Sequence, residues 1–116
     1  MLRTRARLLG AALVGVMLLA PAAPTSAQAD ATITMTSESF NPVEVHIAPG
    51  QTVLWKNSNF LTHTVTADDS SFDSGDLGTG EQFSMSFDTP GSYPYYCQYH
   101  GGPGGEDMAG VIVVDG

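Results

Sequence analysis

Hydrophobic and polar residues alternate in short runs along most of the chain after residue 30, and turn-forming residues separate these runs. Hydrophobic residues at every second position indicate half-buried strands, whereas no stretch shows the period of an amphipathic helix. The predicted strands contain Ile33 and Met35; Val43, Val45 and Ile47; Val53 and Trp55; Thr62 to Ala67, with Val65 inward; Phe83, Met85 and Phe87; Tyr93 to Cys97; and Val111 to Val114. We therefore expect an all-β fold, a single Greek-key β-sandwich of about seven to eight mostly antiparallel strands.

The first 27 residues form a different kind of segment. Arg3, Arg5 and Arg7 precede an apolar run, Leu8 to Ala20, and small residues follow. This arrangement is typical of a secretory signal peptide, with cleavage after Ala27 or Ala29. An uncleaved anchor is the alternative. We expect export to the periplasm or the extracellular space, no stable membrane insertion after cleavage, and one folded domain over residues 30–116.

Cleavage would leave a strongly acidic domain. Lys56 would be its single basic residue beside twelve carboxylates, for a formal charge of −11. Such a domain repels nucleic acid and anionic membranes and attracts basic partners. Asp68, Asp69, Asp73 and Asp76 lie in a polar stretch, Asp68 to Gly80, that predicts a surface loop. Composition leaves open whether this charge serves partner docking or solubility.

Cys97 is the only cysteine, so it cannot form an internal disulfide in an exported protein. A thiolate at Cys97, imidazoles at His63 and His100 and a thioether at Met108 are the ligand set of blue-copper electron-transfer sites. Structural zinc sites favour two or more cysteines. His46 falls on the polar face of its strand, and we interpret it as a surface residue.

The region from Ile33 to Val114 resembles the cupredoxin family, specifically its small plastocyanin- and halocyanin-like members. The residues that carry this resemblance are Val53-Leu54-Trp55-Lys56-Asn57, Thr62-His63-Thr64-Val65, Phe83-Ser84-Met85-Ser86-Phe87, Gly91-Ser92-Tyr93, Tyr95-Tyr96-Cys97-Gln98-Tyr99-His100 and Met108-Ala109-Gly110-Val111-Ile112-Val113.

The resemblance implies that His63, Cys97 and His100 are strong ligands of one copper ion and that Met108 is its axial ligand. It also implies that the residue after the first histidine donates its backbone N–H to the cysteine sulfur; Thr64 stands there, where plastocyanins usually have asparagine. The family usually has a shorter loop before the methionine than the seven residues Gly101 to Asp107. Glu106 or a backbone carbonyl is therefore an alternative axial ligand.

The resulting hypothesis is a monomeric electron carrier that is not an enzyme and that exchanges single electrons with a redox protein. A basic c-type cytochrome or a membrane complex is the expected partner, and the edge of His100 is the expected electron port. Phe60, Leu61 and Gly101–Gly105 would form an apolar docking rim. A copper carrier or scavenger with the same ligands is the alternative, and a metal-free sandwich that serves adhesion is a third possibility.

Overall fold

The computed structural model describes residues 28–116, so the predicted signal segment 1–27 lies outside the described residues. Eight strands follow one another along the described chain: β1 (Ala31–Met35), β2 (Phe40–Asn41), β3 (Glu44–Ile47), β4 (Gln51–Asn57), β5 (Thr66–Ala67), β6 (Gln82–Phe87), β7 (Gly91–Gly102) and β8 (Glu106–Val114). Within residues 28–116, no helix is long and apolar enough to cross a membrane.

The strands form two four-stranded sheets, in the orders β2-β1-β4-β6 and β3-β8-β7-β5. This arrangement confirms the predicted all-β sandwich. Both sheets are mixed: β1 pairs with β4, and β3 with β8, in parallel, whereas the other four pairings are antiparallel. The parallel pairs arise because the chain crosses to the second sheet at β3 and returns to the first at β4, beside β1.

The core lies between the sheets and is centred on Trp55, the only tryptophan. Its indole lies 5.4 Å from the ring of Tyr95 in an edge-on arrangement and 5.6 Å from Phe83, between ring centroids. Tyr95 packs in turn against Phe40 at 4.7 Å. These aromatic contacts join β4 and β6 of one sheet to β7 of the other, so they fix the sheet that carries Cys97 against the rest of the fold.

Several details of the predicted strands were wrong. Only Thr66–Ala67 of the stretch Thr62 to Ala67 is a strand, since His63 forms an isolated bridge with Leu77; Thr66 bridges Asp73 in addition to its pairing with Tyr96. The loop containing Leu77 is therefore not wholly a surface loop, since Leu77 is buried in the core. Val43 was predicted to face inward with Val45, but it precedes β3 and is 57% exposed.

The predicted glycine-rich loop is instead the end of a hairpin. β7 extends to Gly102, and β8 begins at Glu106, with Gly101 opposite Asp107 and Gly102 opposite Glu106. An irregularity between Tyr96 and Gly101 interrupts the pairing at the place where Cys97 and His100 lie. Two additional residue pairs and a tight turn therefore accommodate the extra residues between His100 and Met108.

Candidate metal centre

Two parts of the chain carry the three predicted strong ligands. His63 lies between β4 and β5 and is fixed by two backbone hydrogen bonds with Leu77, at 3.0 and 2.8 Å. Cys97 and His100 lie on β7, within the irregular stretch between Tyr96 and Gly101. The interrupted ladder allows both side chains to point to one side, which the alternation of a regular strand would prevent for residues three apart.

The structure brings these side chains together. The possible ligand atoms of His63, Cys97 and His100 all lie within 4.8 Å of one another. The Cys97 Sγ lies 3.6 Å from His63 Nδ1 and 3.5 Å from His100 Nδ1. Such separations suit donors that share one ion at about 2.0–2.3 Å from each. His63 and Cys97 are buried, whereas His100 is partly exposed.

Burial also prepares His63 to be a neutral ligand. Loss of hydration lowers the pKa of its imidazole, and the nearby His100 lowers the pKa further, while the backbone of Thr36 raises it slightly. A lowered pKa favours the neutral ring, the form of histidine that binds metals through a nitrogen lone pair. Its other nitrogen, Nε2, is buried and has no hydrogen-bond partner within residues 28–116.

Met108 lies on β8 and is fully buried in the same core cluster as Cys97. Glu106, the alternative axial ligand, is exposed, and its carboxylate lies over Gly102 on the outside of the hairpin. Burial of the thioether and exposure of the carboxylate therefore favour Met108. A soft sulfur donor at this position matches a copper site better than a magnesium or calcium site, which requires oxygen ligands.

The backbone N–H that the resemblance implies is present. Thr64 N–H donates to Cys97 Sγ at 3.4 Å, and both residues are buried. The Thr64 hydroxyl accepts a hydrogen bond from the backbone N–H of Gln98 at 2.9 Å. The threonine side chain thus supports the segment that follows Cys97, although it stands where plastocyanins usually have asparagine.

Sequence reasoning gave Asn57 no structural role beyond its place in the motif that carries the family resemblance. The buried Asn57 side chain donates to the carbonyls of Leu61 and Leu77, both at 2.9 Å, and accepts from the N–H of Asn59 at 2.9 Å. It therefore ties the loop before His63 to the segment that pairs with His63. The signal was available, because Asn57 follows Val53 and Trp55 at a period of two on the inward face.

The remaining predicted residues lie outside the cluster. His46 is exposed on β3, where its ring nitrogens contact Glu44 at 2.7 Å and Asp115 at 3.1 Å, as expected of a surface residue. Phe60 is 83% exposed on the loop before His63, and Leu61 is partly exposed.

The β-sandwich and its His–Cys–His cluster, in which His63 and Cys97 are buried, define a small copper-binding β protein. Residues 9–114 match the family described as the cupredoxin-like domain, and the chain belongs to this family. Family membership and the donor cluster together confirm the predicted cofactor, one copper ion. The relatives and the site support a blue copper electron-transfer protein.

Plastocyanins are among the similar sequences. The chain is 33% identical to plastocyanin of Scenedesmus fuscus over 100 residues, which cover 73% of this chain and 99% of that protein. It is 34% identical to chloroplastic plastocyanin of Physcomitrium patens over 86 residues, which cover 65% of this chain and 49% of that relative. The chain thus spans about half the length of the second relative.

Among solved structures, the chain resembles a purple cupredoxin from Nitrosopumilus maritimus. The TM-score is 0.64 at 28% identity, and the match covers 73% of this chain and 99% of that structure. This agreement over nearly the whole of a solved cupredoxin supports the two-sheet arrangement of residues 28–116.

Proposed function

We propose that this protein is an exported, monomeric electron carrier that holds one copper ion in a mononuclear type 1 site and is not an enzyme. His63, Cys97 and His100 are the strong ligands in this proposal, and Met108 is the axial ligand. The observation that carries this proposal is that the Nδ1 atoms of His63 and His100 lie 3.6 and 3.5 Å from the Cys97 sulfur. Bound copper would supply one-electron exchange between Cu(II) and Cu(I).

The chain contributes a preformed set of donors. His63 is fixed through Leu77, and Cys97 by β7 and the Thr64 amide, so the donors need to move little when the charge of the site changes. Burial of His63, Cys97 and Met108 excludes water, which would otherwise compete for the ion. A rigid, water-poor site lowers the reorganisation that accompanies electron transfer.

The partly exposed His100 offers the shortest route between this cluster and a partner's surface. Phe60 and Tyr99, which are 83% and 56% exposed, are large hydrophobic residues close in sequence to the two histidines. The predicted export signal supports a periplasmic or extracellular location, and the acidic surface supports a basic redox partner, such as a c-type cytochrome or a basic face of a membrane complex.

Copper binding tests the site directly. Cu(II) added to the purified protein should produce an intense visible thiolate-to-copper absorption that a reductant abolishes and an oxidant restores. Cys97→Ser should remove this absorption, whereas His46→Gln, a matched control outside the cluster, should retain it. A colourless copper-loaded protein would refute the type 1 assignment.

The copper-carrier alternative requires a different measurement. An electron carrier should undergo many cycles of reduction and oxidation in the presence of a strong Cu(I) chelator without losing its metal. Rapid transfer of copper to the chelator on each reduction would favour the carrier over the electron-transfer function. For the partner, the rate of electron exchange with a basic cytochrome should fall as ionic strength rises, and a rate indifferent to salt would exclude electrostatic steering.

A further inference from the structure

Strands β7 and β8 and the turn between them carry Cys97, His100 and Met108 and are called the ligand hairpin here. Three acidic side chains of the segment Asp68–Asp76 form hydrogen bonds with it. Asp68 Oδ2 accepts from the backbone N–H of Gly104 at 2.9 Å, and Asp76 Oδ1 accepts from the Tyr99 hydroxyl at 2.7 Å. Asp73 Oδ2 accepts from the side-chain amide of Gln98 at 3.4 Å. Each of these bonds ties an acidic side chain to β7 or to the turn that follows it, so the carboxylates have a structural role besides partner docking and solubility.

Asp73 also reaches the same segment through a buried route. The Gln98 N–H donates to Thr64 Oγ1 at 2.9 Å, Thr64 and Thr66 share a hydroxyl hydrogen bond of 2.9 Å, and the Thr66 hydroxyl donates to Asp73 Oδ1 at 3.2 Å. A carboxylate only accepts, so the Thr66 proton is committed to Asp73. The Thr64 hydroxyl must then donate to Thr66, and the whole relay runs in one direction toward the carboxylate.

The relay ends beside the metal centre. Thr64 donates its own backbone N–H to Cys97 Sγ at 3.4 Å, and its hydroxyl accepts from the residue that follows Cys97. Hydrogen bonds in a chain polarise one another, and an ionised acceptor strengthens them further. Thr64 and Thr66 are both buried, so water does not replace a lost partner there without disturbing the packing.

We propose that Asp73 is a positioning residue for the copper-binding thiolate: as the acceptor at the end of the Thr66–Thr64 relay, it holds the Thr64 amide on Cys97. This inference rests on the proposed electron-transfer function. The amide withdraws electron density from the sulfur, and a looser amide leaves more charge on it. Greater charge on the sulfur stabilises Cu(II) over Cu(I). The acidic segment thus acts on the copper site through hydrogen bonds as well as through its net charge.

Two matched pairs of variants separate the relay from the charge. Asp73→Ala and Asp73→Asn both remove one negative charge, but only asparagine keeps an oxygen that can accept from Thr66. Thr66→Val and Thr66→Ser change no charge, and only serine keeps the hydroxyl. The threonine pair also leaves intact the hydrogen bond of 2.9 Å from the Gly75 N–H to Asp73, which the alanine variant removes. The threonine pair therefore tests the relay even if Asp73→Ala fails to fold.

The first readout needs no copper. Amide hydrogen exchange at Gln98, followed by NMR in the metal-free protein, should be about tenfold faster in Asp73→Ala than in Asp73→Asn, and about tenfold faster in Thr66→Val than in Thr66→Ser, the factor expected for one net hydrogen bond. In the copper-loaded protein held at a fixed solution potential, the ratio of Cu(I) to Cu(II) should be about threefold lower in Asp73→Ala than in Asp73→Asn, and in Thr66→Val than in Thr66→Ser. This factor corresponds to a fraction of the net free energy of one hydrogen bond.

Equal exchange rates and equal ratios within each pair would overturn the proposal. An equal difference between Asp69→Ala and Asp69→Asn would also overturn it, because Asp69 belongs to the same segment but its side chain accepts from the Ser71 N–H and, within residues 28–116, makes no hydrogen bond to β7 or β8. A protein that binds no copper yet shows the exchange difference would instead refute the proposed function, and would confine Asp73 to holding the hairpin.

Discussion

Gly101 lies at the most crowded point of the ligand hairpin, directly after His100 and opposite Asp107. A Cβ atom added there would lie 2.7 Å from the Glu106 carbonyl oxygen and 2.7 Å from the Met108 nitrogen, and still closer to the Met108 carbonyl oxygen, whereas real Cβ atoms essentially never come within 3.0 Å of such neighbours. All three obstacles are backbone atoms of β8, so no side-chain rotation relieves the overlap. Gly101→Ala must therefore push β8 away from β7.

Overpacking of this kind costs typically about 1–3 kcal/mol, and we expect the upper end because the neighbours are backbone. Urea unfolding of the metal-free protein, followed by Trp55 fluorescence, measures the loss. With a denaturant slope of about 1–1.5 kcal/mol per molar for a domain of this size, the midpoint should fall by about 2 M. Because the displaced strand carries Met108, the thiolate-to-copper absorption of the loaded variant should also shift.

Two further glycines serve as controls. Gly78→Ala places its Cβ at an ordinary 3.5 Å from the flexible Glu81 carboxylate, and the free energy of unfolding should change by less than about 0.5 kcal/mol. Gly104→Ala, at the turn of the same hairpin, meets nothing within 4 Å but has a φ of +86°, so its cost of about 1 kcal/mol is conformational alone. A Gly101→Ala variant as stable as Gly78→Ala, with unchanged absorption, would refute the reasoning.

Three further changes test the scaffold around the site. Asn57→Ala removes three hydrogen bonds, those to the Leu61 and Leu77 carbonyls and that from the Asn59 N–H, and should lower the free energy of unfolding by about 2–4 kcal/mol in denaturant titrations, where a loss under about 1 kcal/mol would contradict its role. Tyr95→Phe removes a buried hydroxyl that has no hydrogen-bond partner within residues 28–116, so the free energy of unfolding should change by less than about 1 kcal/mol. Hydrogen bonds from the His46 ring, first to Asp115 and second to Glu44, raise the pKa of His46, so its protonated form stabilises the fold below the unfolded pKa of about 6.5, and this contribution disappears as pH rises through the folded pKa. The unfolding midpoint of His46→Gln should accordingly lie below that of the parent at about pH 5.5 and equal it at about pH 8.5, and a pH-independent difference would contradict the ion-pair account.

Much of the fold follows from local pattern. Trp55, Val53 and Ile33 were predicted on inward faces and are fully buried, because a period of two places every second side chain on the same face of a strand. The pattern failed where the chain leaves regular strands. Thr62 to Ala67 has the composition of a strand, yet most of it is held by Leu77 and Asp73 from a distant loop, and composition does not encode such partners.

The metal preference of the site could also be predicted in part from the sequence. One cysteine, a nearby histidine and a following methionine restrict the possible metals by their softness alone, whatever the fold. Asn57 shows the limit of this approach. A polar residue at an inward position signals a buried hydrogen-bonding role, but its partners lie on two loops that meet only after both sheets have formed.

By itself, the sequence determined the fold class, the choice of His63, Cys97 and His100 as candidate strong ligands and the acidic character of the domain, because these depend on side-chain type and short-range periodicity. Only the tertiary structure decided that the overlong segment Gly101 to Asp107 is a paired hairpin, that Met108 is buried while Glu106 is exposed, and that Asp73 connects to Cys97 through two threonines. Each of these depends on atoms brought together from distant parts of the chain, and such contacts leave no periodic trace in the order of the residues.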